Sequence, residues 1–193
     1  MKPLPFVWPY ALLFWAVEIW AFVPEIRVIR NSKRTGSEKD ANSIQVILIG
    51  LNIAFFAAFL IAWVPVFQIV RYRVPVFFAG VAVMIAGSLF RRHCFRMLGG
   101  SFTGDVRATP DQQVVTRGAY SILRHPSYTA AIILNSGLAL ALGSWLSFAM
   151  LLIASLAVYS YRISVEERIL LATIGEPYRQ FVSSRKRLIP FVY

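Results

Sequence analysis

Five stretches of the chain are almost free of charge: residues 6–22, 44–70, 74–90, 128–142 and 145–161. A helix crossing a hydrocarbon core about 30 Å thick needs roughly 17–25 apolar residues. The first three runs meet that length, with Glu18 the only acid inside them. The last two are shorter and share the turn Gly143-Ser144, which predicts a helical hairpin that is tilted or only just spans. The pattern therefore predicts an all-α, polytopic membrane protein with about five transmembrane helices. Pro65 is expected to kink or end the second helix, and Pro75 suits the start of the third, where a missing N–H does no harm. Gly80 and Gly87, seven apart, share a face of the third helix and admit a close neighbour there.

Between the third and fourth runs the chain stays polar as far as His125. It passes Gly99-Gly100, Gly104, Asp105, Pro110 and Asp111 before the β-like run Gln112-Gln113-Val114-Val115. Long connections of this kind are usually functional or disordered, and the Val and Tyr content argues against disorder. Residues 162–181 read as an amphipathic helix whose stripe of Ile163, Ile169, Leu170, Ile174 and Phe181 lies against the membrane or the loop. The first run has no small-residue cleavage site after it and reads as a mature span. Two parts result: residues 1–93, three N-terminal spans, and residues 94–193, a region of loop, hairpin and C-terminal helix.

Charge then orients the chain. The formal net charge is +11, and of 20 Lys and Arg, five follow the first run, six the third and six the fifth. Basic residues mark the cytoplasmic side, so the N-terminus is expected outside and the C-terminus in the cytoplasm. The basicity reflects topology and lipid headgroups rather than a nucleic-acid partner, and Arg185-Lys186-Arg187 is expected at headgroups. One cysteine, Cys94, excludes an internal disulfide, and two histidines do not make a zinc centre. No GxGxxG, P-loop, HExxH or GxSxG pattern occurs, so any cofactor site is non-Rossmann.

Two polar clusters flank the predicted hairpin. Arg124-His125-Pro126-Ser127-Tyr128 precedes it, and Arg162 with Glu166-Glu167 follows it. Ionisable groups at the mouth of a membrane bundle are costly unless used, and a hairpin would bring the two clusters to one spot. Pro126 suits a first helical turn, placing His125 near the N-cap, where free N–H groups favour an anionic ligand group. The same residues also suit an interfacial anchor, with Arg at headgroups and Tyr in the aromatic belt. Arg162 and Glu166 stand four apart and can form a plain intrahelical ion pair. Alternatively, the arginine can grip a carboxylate as a fork while a glutamate binds ribose hydroxyls or an ammonium. Asn135 and Ser136 read as inter-helix hydrogen-bonding groups.

The ordered series Val115-x-x-Gly118-x-Tyr120, Arg124-His125-Pro126-Ser127-Tyr128, Arg162-x-x-x-Glu166-Glu167-x-x-Leu170 and Gly175-Glu176-x-Tyr178 resembles the isoprenylcysteine carboxyl methyltransferases. Integral-membrane phospholipid methyltransferases share part of it, and Arg187-Leu188-Ile189-Pro190 is similar to the first family's ending. The resemblance covers about residues 95–190. It implies transfer of a methyl group from S-adenosylmethionine to a prenylcysteine carboxylate at the cytosolic membrane face. Carried over, it sets the cofactor against Gln112, Gln113, Val114, Val115, Tyr120, His125, Pro126, Ser127, Tyr128 and Glu166. Arg162 falls to the substrate, and Glu167 joins it as a catalytic candidate. Where the family often has a His, a Gly and a Tyr, this chain has Gln112, Ala130 and Phe181. The implied partners are a prenylated or lipid-like acceptor and membrane lipids. The implied location is the inner membrane of a prokaryotic cell or the endoplasmic reticulum of a eukaryotic one. Methylation of a phosphatidylethanolamine amine is the nearest alternative, and a non-catalytic membrane scaffold the more distant one.

Overall fold

A computed structural model of the chain describes residues 1–33, 43–99 and 113–189. Among the described residues six α-helices follow one another: α1 (Tyr10–Lys33), α2 (Ser43–Ile61), α3 (Arg73–Leu98), α4 (Pro126–Ala141), α5 (Trp145–Ile174) and α6 (Glu176–Ser184). Single 3-10 turns occupy Leu4–Phe6, Pro65–Phe67 and Gly118–Ser121, and no strand forms among the described residues. Of the run expected to be β-like, Gln113, Val114 and Val115 are irregular and Gln112 lies outside the described residues.

Three helices, α2, α3 and α5, are long and apolar enough to cross a membrane. α1 adds the shorter apolar segment Tyr10–Val23, and α4 has 16 residues. α2 stops at Ile61, well inside the apolar run 44–70, because Pro65 starts a separate 3-10 turn. Residues 62–70 instead cap the bundle: the Ile69 N–H donates to the Gly143 carbonyl at 2.8 Å, and Gln68 pairs with Ser144. The α2–α3 connection thus rests on the α4–α5 turn, with the N-terminal residues beside it through Gln68 and Arg73. The opposite end of the bundle gathers the start of α2, the end of α3, the start of α4 and the last turns of α5.

The separate amphipathic helix expected from residue 162 does not form. No breaker separates Tyr161 from Arg162, so α5 runs unbroken for 30 residues to Ile174. Gly175, with φ +74°, ends it, and Pro177 sits in the first turn of α6.

Packing follows from small residues. A Cβ at Gly80 would lie 2.4 Å from the Ala141 nitrogen, one at Gly87 2.6 Å from the Leu134 nitrogen, and one at Gly137 2.5 Å from the Met84 nitrogen. α3 and α4 therefore meet backbone to backbone. Asn135 donates to the Ser155 hydroxyl at 3.1 Å, joining α4 to α5, and the Ser147 hydroxyl donates to the Ala58 carbonyl at 2.8 Å, joining α5 to α2. The core is Phe14, Phe77, Met84, Leu138, Leu142 and Leu151. Outside it, Ile49, Ile53, Phe56 and Leu60 leave one face of α2 exposed, as suits a helix that meets lipid.

Candidate active site at the head of the α4–α5 hairpin

Pro126 opens α4, and His125 stands at its N-cap without capping it by its side chain. Backbone pairing holds this segment to the C-terminal strand of chain beyond α6. The Arg124 N–H donates to the Lys186 carbonyl at 2.8 Å and the His125 N–H to the Arg187 carbonyl at 3.1 Å. The Thr129 hydroxyl donates to the Leu188 carbonyl, and Arg124 Nε to the Arg185 carbonyl, each at 2.7 Å. From the other side, buried Arg91 of α3 donates to the Ser127 carbonyl at 2.7 Å.

Glu166 and Glu167 are neighbours on α5 but serve different groups. Glu167 is 6% exposed. Its Oε1 meets Arg124 Nη1 at 2.9 Å and His125 Nε2 at 3.3 Å, and its Oε2 meets Arg187 Nη2 at 3.0 Å. One carboxylate thus fastens the head of α4 and the C-terminal segment to α5. Arg187 and Arg185 were expected at headgroups. Arg187 instead turns inward to Glu167, and the Arg185 guanidinium lies 4.7 Å over the Phe181 ring.

Glu166 is half-buried. The Tyr128 hydroxyl donates to its Oε2 at 2.6 Å and accepts from Arg162 Nε at 3.3 Å. Arg162, 3% exposed, also donates through Nη1 to the Ser43 hydroxyl at the start of α2. Beside this relay the rings of His125 and Tyr128 stack at 5.6 Å, and those of Tyr128 and Tyr159 at 5.2 Å. A buried guanidinium, a phenol and a carboxylate in series can fix an anionic group at one end and a polar donor at the other.

Tyr120 is buried beside Ser127. Burial pushes its phenol above the ordinary tyrosine range, with Cys94 adding to the effect. Burial raises Tyr178 of α6 as well, helped by the negative charges of Glu166 and Glu167. Both stay protonated and able to donate.

The structure thus brings Tyr120, His125, Pro126, Ser127, Tyr128, Arg162, Glu166 and Glu167 into one neighbourhood. Gln113, Val114 and Val115 form no hydrogen bond to it among the described residues, while Gln112 and Pro190 lie outside the described residues. Two members escaped the sequence reading. Arg91 carried a signal, being four residues beyond Gly87 on the face of α3 that meets α4. Ser43 carried none, because only folding brings it to a partner 119 residues away.

The chain is similar to several known proteins. The model of the isoprenylcysteine carboxyl methyltransferase (ICMT) family matches residues 80–172. Protein-S-isoprenylcysteine O-methyltransferase B of Arabidopsis thaliana is 29% identical over 115 residues, 58% of each chain. The O-methyltransferase of Tribolium castaneum is 30% identical over 115 residues, 58% of this chain and 41% of its own. The solved eukaryotic intramembrane Ras methyltransferase ICMT superposes with a TM-score of 0.63 at 25% identity, covering 73% of this chain and 52% of that one. The chain spans about three fifths of the length of the first of these curated relatives. Residues 80–172, which hold α3 from Gly80 and almost all of the α4–α5 hairpin with its site, are thus similar to the isoprenylcysteine carboxyl methyltransferase family.

Proposed function

We propose that this protein is an integral-membrane methyltransferase. It transfers a methyl group from S-adenosylmethionine to the carboxylate of a prenylcysteine or a similar lipid-like acceptor at the cytosolic face. The observation that carries this reading is Arg162, a buried guanidinium fixed by Tyr128 and Ser43 and linked through Tyr128 to Glu166. The relatives named above, isoprenylcysteine O-methyltransferases, support it.

The chemistry asks little of the protein. Bound at this site, S-adenosylmethionine would supply its methyl group to an acceptor carboxylate oxygen by displacement, the electron pair of the broken carbon–sulfur bond staying with the departing thioether. A carboxylate is already ionised at neutral pH, so no general base is needed. Alignment supplies the rate. Arg162 would orient the acceptor, its charge partly shared through Tyr128, so that the carboxylate keeps its nucleophilicity. The donor would rest against Gln112 to Val115, Tyr120, the His125-Pro126-Ser127-Tyr128 segment and Glu166. The residues present fit such a group: Glu166 keeps its second oxygen unengaged among the described residues, and the Tyr120 hydroxyl is buried without a hydrogen bond. Glu167 acts at one remove, by holding His125 in place.

Residues 1–93 serve as the membrane anchor and residues 94–193 as the catalytic region, a division of labour within one bundle, since α3 and α4 pack across it. Five spans, an outer N-terminus and a cytoplasmic C-terminus fit the distribution of basic residues. The membrane is the inner membrane of a prokaryote or the endoplasmic reticulum of a eukaryote.

The test is calorimetric titration of the detergent-solubilised protein with S-adenosylhomocysteine, followed by assay of wild type and Arg162→Ala on N-acetyl-S-farnesylcysteine and on phosphatidylethanolamine. Binding, methylation of the farnesylcysteine, and a loss of at least about tenfold in kcat/KM in the variant, the scale of one charged hydrogen bond, are expected. A folded protein that gives no heat is not a methyltransferase of this kind. Methylation of the amine lipid alone removes the carboxylate assignment.

A further inference from the structure

α2 carries an amide where lipid should meet only hydrocarbon. Asn52 stands nine residues after Ser43 and nine before Ile61, at the middle of the helix, and it is exposed. Its Nδ2 donates to the Leu48 carbonyl one turn back at 2.6 Å. Its second N–H and its Oδ1 have no partner among the described residues. Hydrocarbon offers neither donor nor acceptor, and polar groups that face it are costly. A leucine would cover the same spot without that cost, so contact with lipid alone does not account for asparagine.

Asn52 does not stand alone on its face. Seven residues earlier, Gln45 is exposed too. Seven residues make nearly two full turns, so the two amides share one line, with Ile49 (60% exposed) between them and Phe56 (68%) beyond. Steps of four, three and four residues along 45, 49, 52 and 56 are the repeat of a helix seam that packs on a like seam. Gln45 lies near the end of the span, where water and headgroups reach it. Asn52 lies too deep for either. Whatever covers it must bring both a donor and an acceptor to mid-bilayer. An amide is both, so Asn52 is complementary to itself, and amide hydrogen bonds across helices are a means by which membrane helices associate. Every copy of the chain inserts with one topology, so two copies pair about an axis along the membrane normal. That axis sets α2 parallel to α2, with each Asn52 at the depth of its own equivalent.

We infer that α2 is a homodimerisation surface: the seam of Gln45, Ile49, Asn52 and Phe56 packs against the same seam of a second copy, and the two Asn52 amides exchange hydrogen bonds at the centre of the bilayer. No residue of the seam belongs to the candidate active site, so the inference stands apart from the methyltransferase reading.

The experiment measures pairing of the full-length protein in phosphatidylcholine vesicles, by energy transfer between copies labelled at Ser183→Cys in a Cys94→Ser background, as the lipid-to-protein ratio is varied. The parent is expected to pair, and Asn52→Leu to dissociate about five- to thirtyfold more readily, the scale of an interhelical polar contact. In the same Cys94→Ser background without the label site, Ile49→Cys should form a covalent dimer when native membranes meet a membrane-permeant oxidant. Ile153→Cys, at a position 66% exposed on α5, should not. Asn52→Leu should melt within about 2 °C of its parent in detergent, since it changes only a lipid-facing side chain. A melting loss of several degrees overturns the inference, because the amide then serves its own chain. A parent that stays monomeric at every ratio overturns it, as does a variant that pairs as tightly as the parent. An Ile49→Cys product whose mass is not twice that of the chain overturns it in favour of a different partner.

Discussion

A helix sends consecutive side chains about 100° apart, and that rotation separates the tasks of Glu166 and Glu167. Glu166 meets Tyr128 and has its other oxygen without a hydrogen bond among the described residues. Glu167 meets Arg124, His125 and Arg187 from two other segments. Removing one partner from a buried ion network costs about 3–5 kcal/mol, and a domain of this size loses roughly 2–4 °C of Tm per kcal/mol. Glu167→Ala should therefore lower the Tm by about 10 °C, whereas Glu166→Gln should leave the Tm within about 2 °C and weaken S-adenosylhomocysteine binding, with thermal melts and calorimetry as the checks. Equal melting losses in both variants would show that the two carboxylates share one structural task. The residues of both clusters were legible in the sequence because membrane proteins rarely carry idle charge at a bundle mouth. Their division of labour was not, since it depends on the inward turn of Arg187 from the far end of the chain.

At the scale of elements, the glycine spacing in α3 was readable and its partner was not. Gly80 and Gly87 announced a close helix neighbour, but only the fold sets Gly137, Leu134 and Ala141 of α4 against them. The end of α2 was half-legible: Pro65 pointed to a break, yet hydropathy continued to Val70 because the capping turn is as apolar as the helix. The extension of α5 past Tyr161 was masked by a change in composition at Arg162 that carries no backbone signal. The α3–α4 seam makes a sharp prediction. Gly137→Val must push a side chain into the Met84 backbone, with a cost of about 3 kcal/mol, the upper end for overpacking. Gly143→Ala meets no atom within 4 Å and bears only its φ of +71°, so it should cost about 1–2 kcal/mol. Melting both variants in detergent reads the order, and a larger loss at Gly143 would mean that the seam is not backbone-tight.

At the scale of the whole molecule, the two ends of the bundle differ in chemistry. The site end gathers Arg91, Arg124, Arg162 and Arg187 around two carboxylates. At the other end Trp8, Trp63 and Trp145 are all exposed, beside the turns before α1, after α2 and at the start of α5, as an interfacial aromatic belt requires. α5 is about 45 Å long at 1.5 Å per residue, against a core of about 30 Å. With Trp145 at one interface, its last third, which starts near Arg162, must emerge on the other side with the site. Seventeen of the 20 basic residues follow the first, third and fifth apolar runs, the pattern from which we propose that this other side faces the cytoplasm. In a Cys94→Ser background, Arg71→Cys lies in the α2–α3 connection at the Trp end, and Ser183→Cys lies on α6 at the site end. A membrane-impermeant maleimide applied to intact cells should label Arg71→Cys. It should reach Ser183→Cys only after the membrane is permeabilised. Labelling in the reverse order would put the site on the outer face, away from the cytosolic supply of methyl donor on which the proposed reaction depends.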